Sequence, residues 1–213
     1  MASPKRYASD LGVIPGRTSA QLPRPSFDPL QPHSDSPFGS APGEKGVVVF
    51  HLGARINHPL GALSPGGKEF IDQFMACNDA LLKRAKDFGC VGGTAWRGDE
   101  TASNNTILVV YYFRDIEGLN RFAHDAVHRQ AWDWYSNEFV KRRGHSHIGI
   151  FHEAFCAPAG SHENIYVNMQ PVMMGAGSVQ VKNEATGKDE WVRPLVDASD
   201  PVWRTQHLRM GAR

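Results

Sequence analysis

Apolar positions along the chain change period several times, and each change predicts an element. "VVVFHLGARIN" (Val47 to Asn57) is rich in β-branched and aromatic residues and predicts a strand. After turn residues, Phe70, Phe74, Cys77, Leu81, Leu82, Ala85 and Phe88 recur at helical spacing, with Gly89 suited to the left-handed position after the last turn. "CVGGTAWRG" (Cys90 to Gly98) predicts a strand weakened by Gly92 and Gly93, and "NTILVVYYFR" (Asn105 to Arg114) predicts a strong one. Asp115 is a candidate cap for a second helix over about 116–139, with a core stripe of Ile116, Leu119, Phe122, Ala123, Ala126, Val127 and Trp134. "HSHIGIFHEAF" predicts a fourth strand, and "NIYVNM" a short fifth.

The order β-α-β-β-α-β plus an extra strand predicts an α+β, ferredoxin-like split βαβ fold, an antiparallel sheet with both helices on one face. The strand at 105–114 is apolar on both faces, with Leu108 and Val110 on one side and Ile107, Val109 and Tyr111 on the other. A sheet apolar on both faces has both covered. With no third layer in the sequence, the expected cover is a second copy of the chain, making a homodimer.

Composition bounds the ends. Eight of the 14 prolines lie in the first 45 residues, with few apolar residues between them. Residues 1–45 are therefore expected to be an irregular Pro-rich arm. Residues 46–177 form the expected α/β domain, and 178–213 a polar tail whose Trp191 and Trp203 suggest packing on the body. Lys+Arg is 23 against 22 Asp+Glu, without a basic run, which argues against nucleic acid or an anionic membrane as partner. No run approaches a membrane span. Three cysteines without CxxC spacing fit reduced thiols in a cytoplasmic compartment.

Seven of the ten histidines fall between His51 and His152. His124 and His128, four apart, share a helix face with Ala131 and Tyr135, all within about 60° at about 100° per residue. An HxxxH metal pair lacks a third ligand and the HExxH context, so no metal is expected. On the 148–155 strand, His152 shares a face with Ile148 and Ile150, and Glu153 shares the opposite one with Phe151 and Phe155. Either residue also reads as a satisfied structural group. Arg55 shares a strand face with His51 and Asn57, and Glu153 is its expected ion-pair partner across the sheet, with anchoring of a substrate carboxylate or enolate as the alternative. Tyr166 and Asn168 share a face of the fifth strand, and Met169, Met173 and Met174 offer soft apolar lining or simple core filling. GxGxxG, P-loop, GxSxG and CxxCH motifs are absent from the sequence.

Four segments carry a resemblance. Gly53-Ala54-Arg55-Ile56-Asn57, His128-Arg129-Gln130-Ala131-Trp132, Gly149-Ile150-Phe151-His152-Glu153-Ala154 and Tyr166-Val167-Asn168-Met169-Gln170-Pro171 follow in order. They resemble the family of the fungal fumagillin-pathway monooxygenase, formerly a domain of unknown function. That family is related in fold to the antibiotic-biosynthesis monooxygenases, which are dimeric α/β barrels. Phe151 stands where the family pattern has Trp, Ala154 where it has Thr, and 170–174 departs from its P-P-x-G-L run.

The resemblance implies a small enzyme of secondary, polyketide or terpenoid, metabolism: a cofactor-independent monooxygenase on an apolar small molecule. A cyclase or pericyclase in the same kind of pathway, a haem-binding protein ligated through His128 or His152, and a small-molecule carrier are the competing readings. Within the first, His152 is the candidate base and His128 the second proton carrier. Trp132, Tyr166, Asn168, His124, Tyr135 and Met173 are candidate substrate contacts, and Arg55, Glu153 and Asn57 hold strands.

Overall fold

The computed structural model describes residues 12–30, 37–38 and 42–212, so parts of the expected arm (1–11, 31–36 and 39–41) lie outside the described residues. Along the chain run strands β1 (Ile14–Ala20), β2 (Ser26–Phe27) and β3 (Val47–Ile56), helices α1 (Gly67–Lys83) and α2 (Ala85–Phe88), and strands β4 (Cys90–Arg97) and β5 (Thr106–Phe113). Helices α3 (Ile116–Ala123) and α4 (Ala126–Asp133) lead into a π-helical segment, Trp134–Arg142. Strands β6 (Ile148–Ala157), β7 (Tyr166–Met169), β8 (Val179–Asn183), β9 (Lys188–Val192) and β10 (Leu195–Asp197) precede a short helix, α5 (Gln206–Arg209). No described helix is long and apolar enough to cross a membrane.

The chain divides into two compact units, 48–155 and the combination of 1–47 with 156–213. The 48–155 unit is built on a four-stranded sheet in the order β4-β5-β3-β6, the order a split βαβ unit gives. β3 and β5 pair antiparallel from Val48↔Phe113 to Arg55↔Thr106, and β4 pairs antiparallel with β5. One core cluster gathers Leu81, Phe88, Tyr111, Phe113, Leu119 and Phe122, and another gathers Ile56, Phe70, Phe139 and Ile148. These are the alternate residues of the strands and the apolar stripe of α1, which explains why the 2.0 and 3.6 periods were both readable.

The second helix departs from expectation. It breaks at His124, the C-cap of α3, because Asp125 starts a new helix by accepting a hydrogen bond from the Val127 N–H at 3.1 Å. The break changes the phase, so Val127, expected in the core, is 37% exposed, and Phe139 from the π-helical segment is fully buried instead. Asp115 does cap α3, accepting from the Gly118 N–H at 2.6 Å.

Two glycines in the strands make room for aromatic rings. A Cβ on Gly53 would lie 2.2 Å from Cζ of Phe151, and one on Gly93 would lie 2.7 Å from Cδ1 of Tyr111. What reads in sequence as a weakened strand is a shelf for Tyr111.

In the unit formed by 1–47 and 156–213, β1 is the central strand of a sheet ordered β10-β1-β7, and β2, β8 and β9 form another. The arm expected to be irregular thus contributes strands, with Ser19 and Ala20 fully buried. β1 is held by backbone pairing and by Asn164, whose carboxamide bonds both the Ala20 N–H and its carbonyl. Such a strand has no apolar alternation to betray it. The C-terminal region is likewise ordered: Arg209, 4% exposed, pairs with Glu163 and donates to the carbonyl of Trp203 at 2.9 Å.

Candidate active site

An apolar cavity of ≈ 100 Å³ opens between the sheet and helices of the 48–155 unit. β3 contributes Phe50 and Leu52, β5 contributes Tyr111, and β6 contributes Ile150. These residues alternate with outward-facing ones, which is why all of them reach the helix side. α1 contributes Phe70, Phe74, Cys77, Asn78 and Leu81 with Gln73 beside them, and Phe122 of α3 closes one end. α4 and the π-helical segment supply His128, Ala131, Trp132, Trp134 and Tyr135. π-helical turns recur at functional sites because the extra residue re-aims side chains. Here the turn begins at Trp134, so Trp134 and Tyr135 both reach the cavity.

The polar groups on this surface are few, and most are committed. Tyr135 donates its hydroxyl to the Ile148 carbonyl at 2.8 Å. Tyr111 is 1% exposed and donates to Oδ1 of Asn78 at 2.7 Å. Burial pushes the Tyr111 hydroxyl, and the Tyr135 hydroxyl with it, above the ordinary phenol range, so both stay protonated donors. Burial also raises the Cys77 thiol, with a smaller contribution from the Asp125 carboxylate, so it stays un-ionised in the cavity wall.

His128 differs from the rest. Its Nδ1 lies 3.0 Å from the Ala123 carbonyl. A carbonyl only accepts, so Nδ1 carries a proton, and in the neutral ring Nε2 holds the lone pair. The half-buried ring packs 5.4 Å from that of Phe122 and lines the cavity.

Of the other candidates, Trp132 and Tyr135 line the cavity with His128. His124 does not: the helix break turns it out, and its Nδ1 meets the Asn120 carbonyl at 2.8 Å. His152 shares the inward face of β6 as expected but sits exposed, beyond the lining residues, its ring 5.7 Å from that of Phe50. Tyr166, Asn168 and Met173 belong to the other unit. Tyr166 accepts from the Gly175 N–H at 3.1 Å, Asn168 accepts from the Gly16 N–H at 2.8 Å, and Met173 adopts φ 56° at the start of a turn.

The expected pair of Arg55 with Glu153 does not form. Arg55 donates to the Ala102 carbonyl at 2.7 Å, and Glu153 lies 3.7 Å from Nδ1 of His51. The reason is register. The Asn57 N–H bonds to the His147 carbonyl, so in the antiparallel ladder Glu153 falls opposite His51 and Arg55 falls opposite Gly149. Register between strands distant in sequence is not written in either strand alone. Among the described residues no group of three or more His, Cys, Asp or Glu side chains is placed to hold a metal ion.

Sequence reasoning missed Asn78 and Tyr111. The signal was present, because Asn78 is a polar residue inside the apolar stripe of α1, between Phe74 and Leu81. An amide on a buried helix face calls for a partner, and Tyr111 supplies it.

Comparison with known proteins adds the following. The model of the monooxygenase af470-like family matches residues 47–174. The chain is 39% identical over 199 residues to monooxygenase af470 of Aspergillus fumigatus, covering 93% of this chain and 67% of that protein. Among solved structures, the aldoxime dehydratase OxdRE in complex with butyraldoxime superposes with a TM-score of 0.48 at 16% identity, covering 61% of this chain and 36% of that one. SnoaB, a cofactor-independent oxygenase from Streptomyces nogalater, superposes with a TM-score of 0.35 at 15% identity, covering 51% and 90%.

Proposed function

The chain belongs to the monooxygenase af470-like family of enzymes, and from that premise we propose that it oxygenates an apolar, enolisable or phenolic small molecule without a cofactor, in secondary metabolism. The observation that carries this reading is His128, an imidazole whose Nδ1 is held by a backbone carbonyl on the wall of a mostly apolar cavity. The substrate gives a proton to His128 Nε2 and becomes an enolate or phenolate. Such an anion is electron-rich enough to reduce dioxygen directly. For a phenolic ring, a carbon bearing hydrogen becomes a carbonyl carbon, and the substrate gives up four electrons in all. One oxygen atom enters it and the other leaves as water with two protons, so no external reductant is consumed. The protein supplies the base, the position and a water-poor cavity in which charge interactions are strong. Trp132, 51% exposed, stands at the cavity mouth.

We also propose that the active form is a homodimer closing into an α/β barrel. On the sheet face away from the cavity, Trp96, Phe151 and Phe155 are 46%, 41% and 52% exposed, an apolar surface that a second copy would cover.

The test is oxygen uptake and incorporation of labelled dioxygen with a polycyclic phenol as substrate. His128→Ala is expected to lower kcat by about 10²–10⁴-fold while the protein stays folded. A variant within a few-fold of the parent overturns the assignment. A product isomeric with its substrate and free of label would place a cyclase in the same cavity, and a Soret band in the purified protein would make His128 an axial ligand instead.

A further inference from the structure

We propose that the carboxamide of Asn78, held by Tyr111, is the hydrogen-bond donor that receives an oxygen of the substrate, so that the cavity selects aromatic ketones, enolates or phenolates over plain hydrocarbons. The proposal rests on the cavity being the substrate site. Its basis is an accounting of donors. The hydroxyls of Tyr111 and Tyr135 are spent on Asn78 and the Ile148 carbonyl, and the Nδ1–H of His128 is spent on the Ala123 carbonyl. Gln73 lines the cavity too, but its side chain is exposed.

Asn78 remains. Its Oδ1 accepts from Tyr111. The hydroxyl could face either end of an amide, and the orientation is set at the other end, where Nδ2 lies 3.4 Å from Oδ1 of Asp79 and a carboxylate demands a donor. That contact is long and engages one hydrogen at most, leaving the second for a ligand. Tyr111 is itself immovable: its ring lies over Gly93, stacks 6.4 Å from Phe50, and is 1% exposed. The amide is therefore preorganised, the condition under which one hydrogen bond to a developing oxyanion counts most. Asn78 and His128 line the same cavity from different helices. A substrate oxygen on Asn78 leaves the adjacent acidic hydrogen for Nε2 of His128. Tyr111 acts through Asn78 and is a positioning residue.

The experiment separates recognition from catalysis by titrating in the absence of dioxygen, so that neither ligand is oxygenated. Affinity for acetonaphthone, which carries a carbonyl acceptor and no hydroxyl, is compared with that for ethylnaphthalene by fluorescence titration of the full chain. The parent is expected to prefer the ketone by roughly three- to tenfold, the worth of one net hydrogen bond. Asn78→Asp keeps an acceptor for Tyr111 but removes the N–H donors, so the ratio of ketone to hydrocarbon affinity should fall to about one. Tyr111→Phe should reduce that ratio partway. Gln73→Leu should leave it unchanged. Asn78→Asp retaining the ketone preference, or Gln73→Leu abolishing it, overturns the proposal. Failure of both ligands to bind the parent would overturn the cavity as substrate site as well, so the two failures are distinct.

Discussion

Phe139→Ala tests the claim that the π-helical segment is locked from behind. The Phe139 ring is fully buried. It lies 4.7 Å from the Trp134 ring, 4.6 Å from His145, 6.1 Å from Phe70 and 6.2 Å from Tyr135. A Cβ on Gly66 would come within 2.9 Å of the ring, so the neighbouring backbone already sits against it. Phe→Ala at a buried site typically costs about 3–5 kcal/mol, a transfer contribution plus a cavity contribution. The upper half of that range applies here, because Ile148, Phe70 and the Gly66 backbone belong to rigid elements that collapse poorly into the void. About 4 kcal/mol is a large share of the roughly 5–15 kcal/mol that holds a domain folded. At roughly 2–4 °C per kcal/mol for a chain of this size, the melting temperature should fall by about 8–16 °C. Intrinsic tryptophan fluorescence during denaturation and a calorimetric scan both report it. Because Trp134 and Tyr135 lose their backing, ethylnaphthalene affinity should also fall in the folded variant at low temperature. A melting temperature within about 2 °C of the parent would refute the packing argument.

Other perturbations probe separate parts of the molecule. Gly53→Ala should cost about 1–3 kcal/mol by overpacking, and Phe151→Ala should rescue it only in part, because the Ile107 carbonyl also lies 2.7 Å from the new Cβ. Denaturant titration of the single and double variants measures this. Asp115→Ala removes the α3 cap and should cost about 1 kcal/mol by the same assay. Burial pushes the Cys90 thiol up to about 12 from 9.0. A raised pKa means that the native state holds its proton longer than the unfolded chain does. This contribution is intact below pH 9 and is lost as pH rises toward about 12, and Cys90→Ala should flatten that part of the stability profile. Thiol labelling of the native protein should accordingly modify exposed Cys156 first and Cys90 only on unfolding. Trp96→Glu with Phe155→Glu should give monomers by light scattering if the open sheet face is the dimer surface.

The amino-acid sequence by itself determined the alternation of strands and helices in 48–155, because burial on one face writes a period of 2.0 or 3.6 directly into the chain. It also determined the Asp115 cap, and the family, through four short segments in order. It placed His128, Ala131 and Tyr135 on one helix face, and all three line the cavity. Tertiary structure alone decided the rest. Whether Glu153 meets Arg55 or His51 depends on the register of two strands about 100 residues apart. Whether His124 joins His128 depends on a single cap at Asp125 that resets the helix phase. Tyr111 and Asn78 become a pair only when β5 packs under α1, and strand β1 exists because β7 and β10 satisfy its backbone on both sides. Local periodicity records which face of an element is buried. It carries no information about what that face meets, and the chemistry of this site lies in those meetings.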